Sequence, residues 1–437
     1  MRVDHAKALA VGLGWLTLAC VGPNPDYLGA STGAGTGSDG TGTGAESGNE
    51  SGDQAGDGDG DSGDGDGDGD SGDGDPPIQG CGDGNPPFPG DLCFHPPTQL
   101  MLAPFAHPHY VGAGDVDGDG KLDLVSVDLF AESAQVLHNL GAGAFMYVGA
   151  YGSASNSRSI TLGDFSGDGR PDVVTTHGND TDAIGLLINN GAGGFGPQIN
   201  TSIGADLRDA AIADFNHDSA ADLAVVSAGD DEVLVLLNNG NGQFAGVDHF
   251  AVPTQPTDLV VVDIDKDGES DIVVVCMGAN EIAILRGTGQ GTFLAPLTFV
   301  AAGDGPESLD VADFNGDGWP DIVVVIRGED SVGLALNDGA GGLLSPTIFG
   351  VGVRPRSVTA ADFDADGNPD IVSGDHDGGT VTLLLGDGLG GLDFAEQIYV
   401  GINPRQVIAA DLNGDLAMDF AYALHLNASI GVVLSNP

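Results

Sequence analysis

Asp115-Val-Asp-Gly-Asp-Gly-Lys-Leu-Asp123 is the first of seven related acidic nonapeptides; the others begin at Asp164, Asp214, Asp263, Asp313, Asp362 and Asp411. The shared pattern is D-x-[D/N/S]-x-D-G-x-x-D, and successive copies start 49 or 50 residues apart. Oxygen side chains at alternate positions of a tight loop suit a hard cation such as Ca²⁺, which takes about six to eight oxygen ligands. A period of about 50 residues marks a solenoid, a propeller or an array.

The flanks of the nonapeptide choose among these. In the fifth copy, Ser308-Leu-Asp-Val-Ala312 alternates up to the loop and Asp321-Ile-Val-Val-Val-Ile326 follows as a β-branched run. Ser331-Val-Gly-Leu-Ala-Leu336 alternates again, Asn337-Asp-Gly-Ala-Gly-Gly342 is a turn, and Leu343 to Phe349 is a fourth short strand. Four such strands per repeat, joined by Gly-rich turns, make a propeller blade. No segment carries a sustained helical period with caps. The expected fold is therefore all-β, a seven-bladed β-propeller. The turn places Phe145, Phe195, Phe244 and Phe293 at one blade position, which reads as packing between blades. The last repeat stops after its third strand, Ile430-Gly-Val-Val-Leu434, while Gln99-Leu-Met-Leu-Ala103 precedes the first repeat without a blade of its own. This N-terminal strand is expected to complete the last blade, which removes exposed sheet edges.

The 437 residues carry 65 acidic and 12 basic side chains, a formal net charge of −53. Positions one, three, five and nine of the nonapeptides hold 24 Asp, and residues 31–75 hold another 13 acidic residues with no Lys or Arg, so over half the acid lies in cation loops or a linker. Nucleic acid is excluded as a partner, because binding it needs clustered Lys and Arg. Residues 1–20 read as a secretory signal: Arg2 and Lys7 precede an apolar run from Ala8 to Ala19 that is too short to span a bilayer. The end, Leu16-Thr-Leu-Ala-Cys20, resembles a bacterial lipobox with Thr17 where Leu is usual. Lipidation of Cys20, anchoring the chain to a membrane, is the expectation; an ordinary signal peptide with a chance Cys is the alternative. Residues 21–80 run in Gly, Asp, Ser and Thr, cannot bury enough surface to offset chain entropy, and are expected to form a disordered acidic linker. In the short segment 81–97, Cys81 and Cys93 bracket a Gly/Pro-rich stretch; in an exported chain such a pair reads as a disulfide, and a zinc site would need two more ligands where only His95 is near. Cys276, within Ile272-Val-Val-Val-Cys276, reads as a buried small hydrophobe. The propeller is expected to span residues 98–437.

Asp313-Phe-Asn-Gly-Asp-Gly-Trp-Pro-Asp321, followed by its β-branched strand, resembles the FG-GAP/VCBS repeat, the blade of the integrin α-subunit head and of many bacterial surface proteins. The resemblance covers residues 98–437. It implies a seven-bladed propeller with calcium loops between the first and second strands of each blade. It implies little about the ligand, since the fold hosts adhesion modules, lectins and some polysaccharide lyases. Carried over loop by loop, it implies side-chain ligands at positions one, three, five and nine and a backbone carbonyl at position seven. The side chains are Asp115, Asp117, Asp119 and Asp123; Asp164, Ser166, Asp168 and Asp172; Asp214, Asn216, Asp218 and Asp222; Asp263, Asp265, Asp267 and Asp271; Asp313, Asn315, Asp317 and Asp321; Asp362, Asp364, Asp366 and Asp370; and Asp411, Asn413, Asp415 and Asp419. The sixth position is normally Gly, which permits a left-handed turn. Ser219 and Leu416 stand there in the third and seventh loops, at a cost of roughly 1 kcal/mol each, so those loops are expected to bind weakly or stay empty. Ser166 is a weaker donor than Asp. An EF-hand is excluded because position twelve, Ser126 in the first loop and Val324 in the fifth, is not Glu. Dense thrombospondin-like arrays are excluded by the long spacing.

The chain has no nucleophile elbow, no HExxH and no phosphate loop, so no catalytic residue and no organic cofactor is assigned. His177, His376 and His425 follow the second strands of their blades, away from the cation loops, and are expected about 15 Å or more apart. Six residues before each first loop Asp lie His109, Arg158, Arg208, Thr257, Glu307, Arg356 and Arg405, with Pro preceding in five blades. Four of the nine Arg share this position, at the start of the innermost strand, and should ring the channel mouth opposite the cation loops. Either Arg158, Arg208, Arg356 and Arg405 pair with Asp across blade joints, or they bind an anionic ligand. The expected function is an exported or surface-anchored monomeric calcium-binding module for a glycan or protein ligand. A calcium-dependent polysaccharide lyase or hydrolase is the alternative.

Overall fold

The computed structural model describes residues 94–435, apart from 105, 131, 179–181 and 302. The signal-like segment, Cys20, the acidic linker and the Cys81–Cys93 pair lie outside the described residues. The strands form seven four-stranded antiparallel sheets, one per repeat. In the fifth, Pro306–Ala312, Asp321–Ile326, Ser331–Ala335 and Thr347–Gly350 run in that order from the axis outward. A 3-10 turn at Arg327–Glu329 is the only helical element among the described residues.

Burial explains the strand sequences. The second strand of every blade is buried at all six positions. It is covered on both faces, which is why it reads as a continuous β-branched run. The outermost strands are mostly exposed apart from half-buried residues such as Phe250, Phe299 or Phe349 and the buried Leu392. The buried side chains form seven clusters, and each spans one joint between neighbouring blades. The recurring Phe sits in these joints: Phe244 of blade three meets Phe165 of blade two at 6.2 Å, and Phe293 of blade four meets Phe215 of blade three at 5.4 Å. Cys276 is a free buried thiol, pushed up to about 12 by burial.

The ring closes within the seventh sheet. Thr98–Met101 pairs antiparallel with Ser429–Val433, register Thr98 to Val432 through Met101 to Ser429, and Phe94 bridges Ser435. Leu102 and Ala106 then enter the core of the joint between blades seven and one. The N-terminal strand thus completes the last blade as expected.

The innermost strands share a feature the repeat does not announce. All seven carry a β-bulge just after their start, for example between Pro256 and Asp258 and between Pro404 and Val407. A bulge bends the strand and re-aims its side chains. Here two consecutive residues, not one, are available to the axis. Side chains from these strands also stitch the joints. Gln406 Oε1 accepts the Val111 N–H at 2.7 Å, Asp258 Oδ2 that of Leu309 at 3.0 Å, Asp310 Oδ2 that of Ala360 at 2.8 Å, and Ser357 Oγ that of Val407 at 3.0 Å.

Candidate functional site

Each nonapeptide links the first strand of its blade to the second. Its tight wrap needs a left-handed residue at position six, and Ser219 (φ 68°) and Leu416 (φ 74°) are forced into it. The first Asp uses its carboxylate to gather loop N–H groups, as Asp115 Oδ2 does for Gly120 at 2.9 Å and Asp411 Oδ2 for Leu416 at 3.0 Å. The ninth Asp is wholly buried in all seven blades. Its Oδ2 accepts the N–H of position two, at 2.8–3.1 Å. Its Oδ1 accepts an N–H near the end of the third strand or just beyond it, at 2.7–2.9 Å. Burial pushes Asp222, Asp271, Asp321 and Asp419 up to about 6 and Asp370 up to about 7.

Oxygens sharing one Ca²⁺ at about 2.4 Å can be no more than about 4.8 Å apart. Three loops bring three carboxylates within 4.8 Å of one another: Asp115, Asp117 and Asp119; Asp263, Asp265 and Asp271; and Asp362, Asp364 and Asp370. These are the loops with Asp at all four positions. In the third, fifth and seventh, Asn216, Asn315 and Asn413 instead donate to the Asp at position five, at 2.8–3.0 Å. Ser166 Oγ and Asp265 Oδ1 are buried without a hydrogen-bond partner. An all-oxygen donor set with orphaned atoms fits a hard cation. The sequence reading missed His138, whose Nδ1 lies 3.3 Å from Asp117 Oδ2 beside the first loop, and Arg286, whose Nε lies 3.3 Å from Asp265 Oδ2.

Leu416 is 91% exposed, so its side chain contributes no packing. Leu416→Gly is expected to stabilise the fold by about 1 kcal/mol through relief of left-handed strain. Thermal melts of both proteins in EGTA read this directly, and a melt at or below that of the parent overturns it.

At the opposite end, the seven residues second in the innermost strands converge on one cavity of about 100 Å³. His109, Arg158, Arg208, Thr257, Glu307, Arg356 and Arg405 all line it, joined by Tyr110, Met277 and Arg327. Arg208 pairs with Asp206 of its own blade at 2.6 Å. Arg158 reaches that carboxylate across the joint at only 3.9 Å. Glu307 holds Arg356 at 2.6 Å and Arg327 at 3.2 Å. Arg405 has no ion-pair partner among the described residues, and burial, then the Arg356 charge, lowers it to about 10. Pairing across joints therefore accounts for part of the ring and leaves Arg405 over. Below the mouth, Asp209 faces Asp258; burial and the Asp258 carboxylate hold Asp209 well above the usual carboxylate range.

His425 sits among other imidazoles near the mouth. Its ring lies 5.6 Å from that of His107 and 5.7 Å from that of His109. It is also near enough to His376 to feel that charge. Burial, then Arg405, lowers His425 to about 4 and holds His109 well below the usual imidazole range. His177 is elsewhere, buried against Ser157, Thr175 and Gln198.

Comparison with known proteins follows from this geometry. The model of the FG-GAP-like repeat matches residues 115–175, 164–225, 214–274, 263–324, 313–373 and 362–422. No curated protein matches the sequence. Among solved structures, virginiamycin B lyase from Staphylococcus aureus is similar at 13% identity and a TM-score of 0.55, over 78% of this chain and 99% of that one. A provisionally named 6-phosphogluconolactonase from Bacteroides fragilis is similar at 13% identity and a TM-score of 0.56, over 73% of this chain and 98% of that one. At such identity these two share the fold alone. The overlapping repeat matches, the seven sheets and the loop between first and second strands agree: the chain belongs to the FG-GAP-like repeat family.

Proposed function

We propose that this protein is an exported, calcium-stabilised propeller that acts as a binding module, taking an anionic group of a glycan or protein ligand into the channel mouth. The observation that carries the reading is the unbalanced mouth. Five Arg line one cavity in a chain of net charge −53, against one lining carboxylate, and Arg405 is left without a partner among the described residues. A half-buried guanidinium with no ion-pair partner is open to an anion that can meet it. Arg is suited to planar, two-pronged recognition of carboxylate, sulfate or phosphate. A uronate or sulfated sugar satisfies this chemistry. Ca²⁺ would be held by the loops with four Asp and, more weakly, by those with Ser or Asn at position three. When bound it supplies charge neutralisation and rigidity at the far face.

The test is Arg158→Ala with Arg405→Ala in the calcium-loaded protein, screened on an array of acidic and neutral glycans. Binding of acidic glycans should fall by about 100-fold or more, from the loss of two charged hydrogen-bonding groups worth about 1.5–3 kcal/mol each. Calcium-dependent melting should stay nearly unchanged. Survival of binding with collapse of stability makes the ring a joint device. A second reading, a polysaccharide lyase or hydrolase, is favoured by one observation: His109 lines the Arg-rich cavity with its ring 5.7 Å from that of His425. New unsaturated sugar ends on incubation with polyuronate would select the lyase.

A further inference from the structure

The ring positions of the mouth are basic on one side only, although Arg327 of blade five also lines it, paired with Glu307. Arg356 and Arg405 stand on blades six and seven, and Arg158 and Arg208 on blades two and three. The ring positions of blades four and five hold Thr257 and Glu307. The throat below repeats the division. Its carboxyls, Asp209, Asp258 and Asp310, belong to blades three, four and five, and all three stay partly exposed to the channel.

Orphaned atoms mark both sides. Arg158 Nε and Arg356 Nε are buried donors without a hydrogen-bond acceptor. Across the mouth, Thr257 Oγ1 and Glu307 Oε2 are buried without a hydrogen bond, although Glu307 Oε2 lies 3.2 Å from Arg327. Thr257 is only 9% exposed and lines the cavity, so its hydroxyl has nowhere else to turn. A simple anion satisfies the Arg side but brings no donor to Thr257 Oγ1 or to Glu307 Oε2, which the ion pairs of Glu307 with Arg356 and Arg327 leave without a hydrogen bond. Unmet buried polar groups are costly, so the complementary ligand carries a donor on that side.

We infer that the group seated in the mouth is amphoteric: an acid on Arg405 and Arg158, and a protonated amine a few bonds away on Glu307 and Thr257. This rests on the anion-binding reading above and adds the second half of the ligand. The cavity of about 100 Å³ limits the seated part to one acid group and a short amine-bearing frame, with any larger body outside.

Calorimetry on the calcium-loaded full chain, with ethyl phosphate and phosphoethanolamine as probes, tests this. The two share the acid and the carbon frame and differ by one ammonium. Phosphoethanolamine should bind about tenfold tighter, the effect of one charge-assisted hydrogen bond. Glu307→Gln should bring the two probes to within about twofold while ethyl phosphate still binds. Thr257→Val, which leaves the Arg pairs intact, should narrow the preference if Glu307→Gln fails to fold. Equal binding of the probes by the parent, or a preference that survives both substitutions, overturns the amphoteric ligand and leaves the anion site standing. If neither probe binds the parent, both readings fall.

Discussion

Chelating the protein with excess EGTA is expected to lower its melting midpoint by on the order of 10 °C. Three loops assemble three carboxylates each within reach of one ion. A ligand bound to the native state alone at a hundredfold excess over Kd adds about 2.7 kcal/mol per site, so three sites add about 8 kcal/mol. For a ring of this size that corresponds to roughly 10 °C. The effect should reach beyond the loops, because the carbonyl at position two is held by the next blade. Asn189 Nδ2 donates to Val116 O at 2.9 Å, Asn238 Nδ2 to Phe165 O at 2.9 Å, and Asn337 Nδ2 to Ile264 O at 3.0 Å. Slackening one loop therefore slackens a joint. Calorimetry with and without EGTA, followed by refilling with Ca²⁺ or Mg²⁺, measures it; an unchanged midpoint removes calcium from the account.

Deleting residues 1–104 should destabilise the ring by about 5 kcal/mol or more, whereas deleting 21–80 should leave the midpoint where it was. The longer deletion removes Thr98–Met101 and Leu102, and it removes Phe94, whose ring packs at 5.4 Å on Phe420. Burial of a large apolar side chain contributes about 1.5–3 kcal/mol, and two are lost together with a strand. The deletion also leaves Ser429–Val433 as an open edge, a template for association between chains. Residues 21–80 contain almost no large apolar side chains to lose. Equal melting of the two truncations would refute closure by the N-terminal strand.

The blade was legible because its acidic loop repeats at a fixed interval, which fixes the phase of every strand around it. The same phase made the ring at Arg158, Arg208, Arg356 and Arg405 visible. The bulges were not legible, because they arise from the fit of innermost strands around an axis and leave no residue type behind. With them was hidden the Asp209–Asp258 pair, which sits one residue further along and on two blades. The His107–His425 contact was hidden for another reason: the two are 318 residues apart and meet only because the chain's end returns to its beginning. The ninth Asp reads as one more oxygen ligand in the sequence. In the fold it also pins two backbone N–H groups, a role that period and charge do not distinguish from ligation.

The clasp in the last blade decides how such a ring comes apart. At every joint the polypeptide itself crosses from one blade to the next, so no joint can separate without dragging its tether. The one gap in covalent continuity lies inside a sheet, between Thr98–Met101 and Ser429–Val433, held by four ladder pairs, the Phe94–Ser435 bridge and the packing of Phe94 and Leu102. Opening is thus an unzipping event and not a parting of blades. Its rate is governed by a short ladder of peptide hydrogen bonds and the apolar anchors Phe94 and Leu102, while the other joints set how favourable reclosure is. Lifetime and stability of the closed ring are therefore separately adjustable quantities.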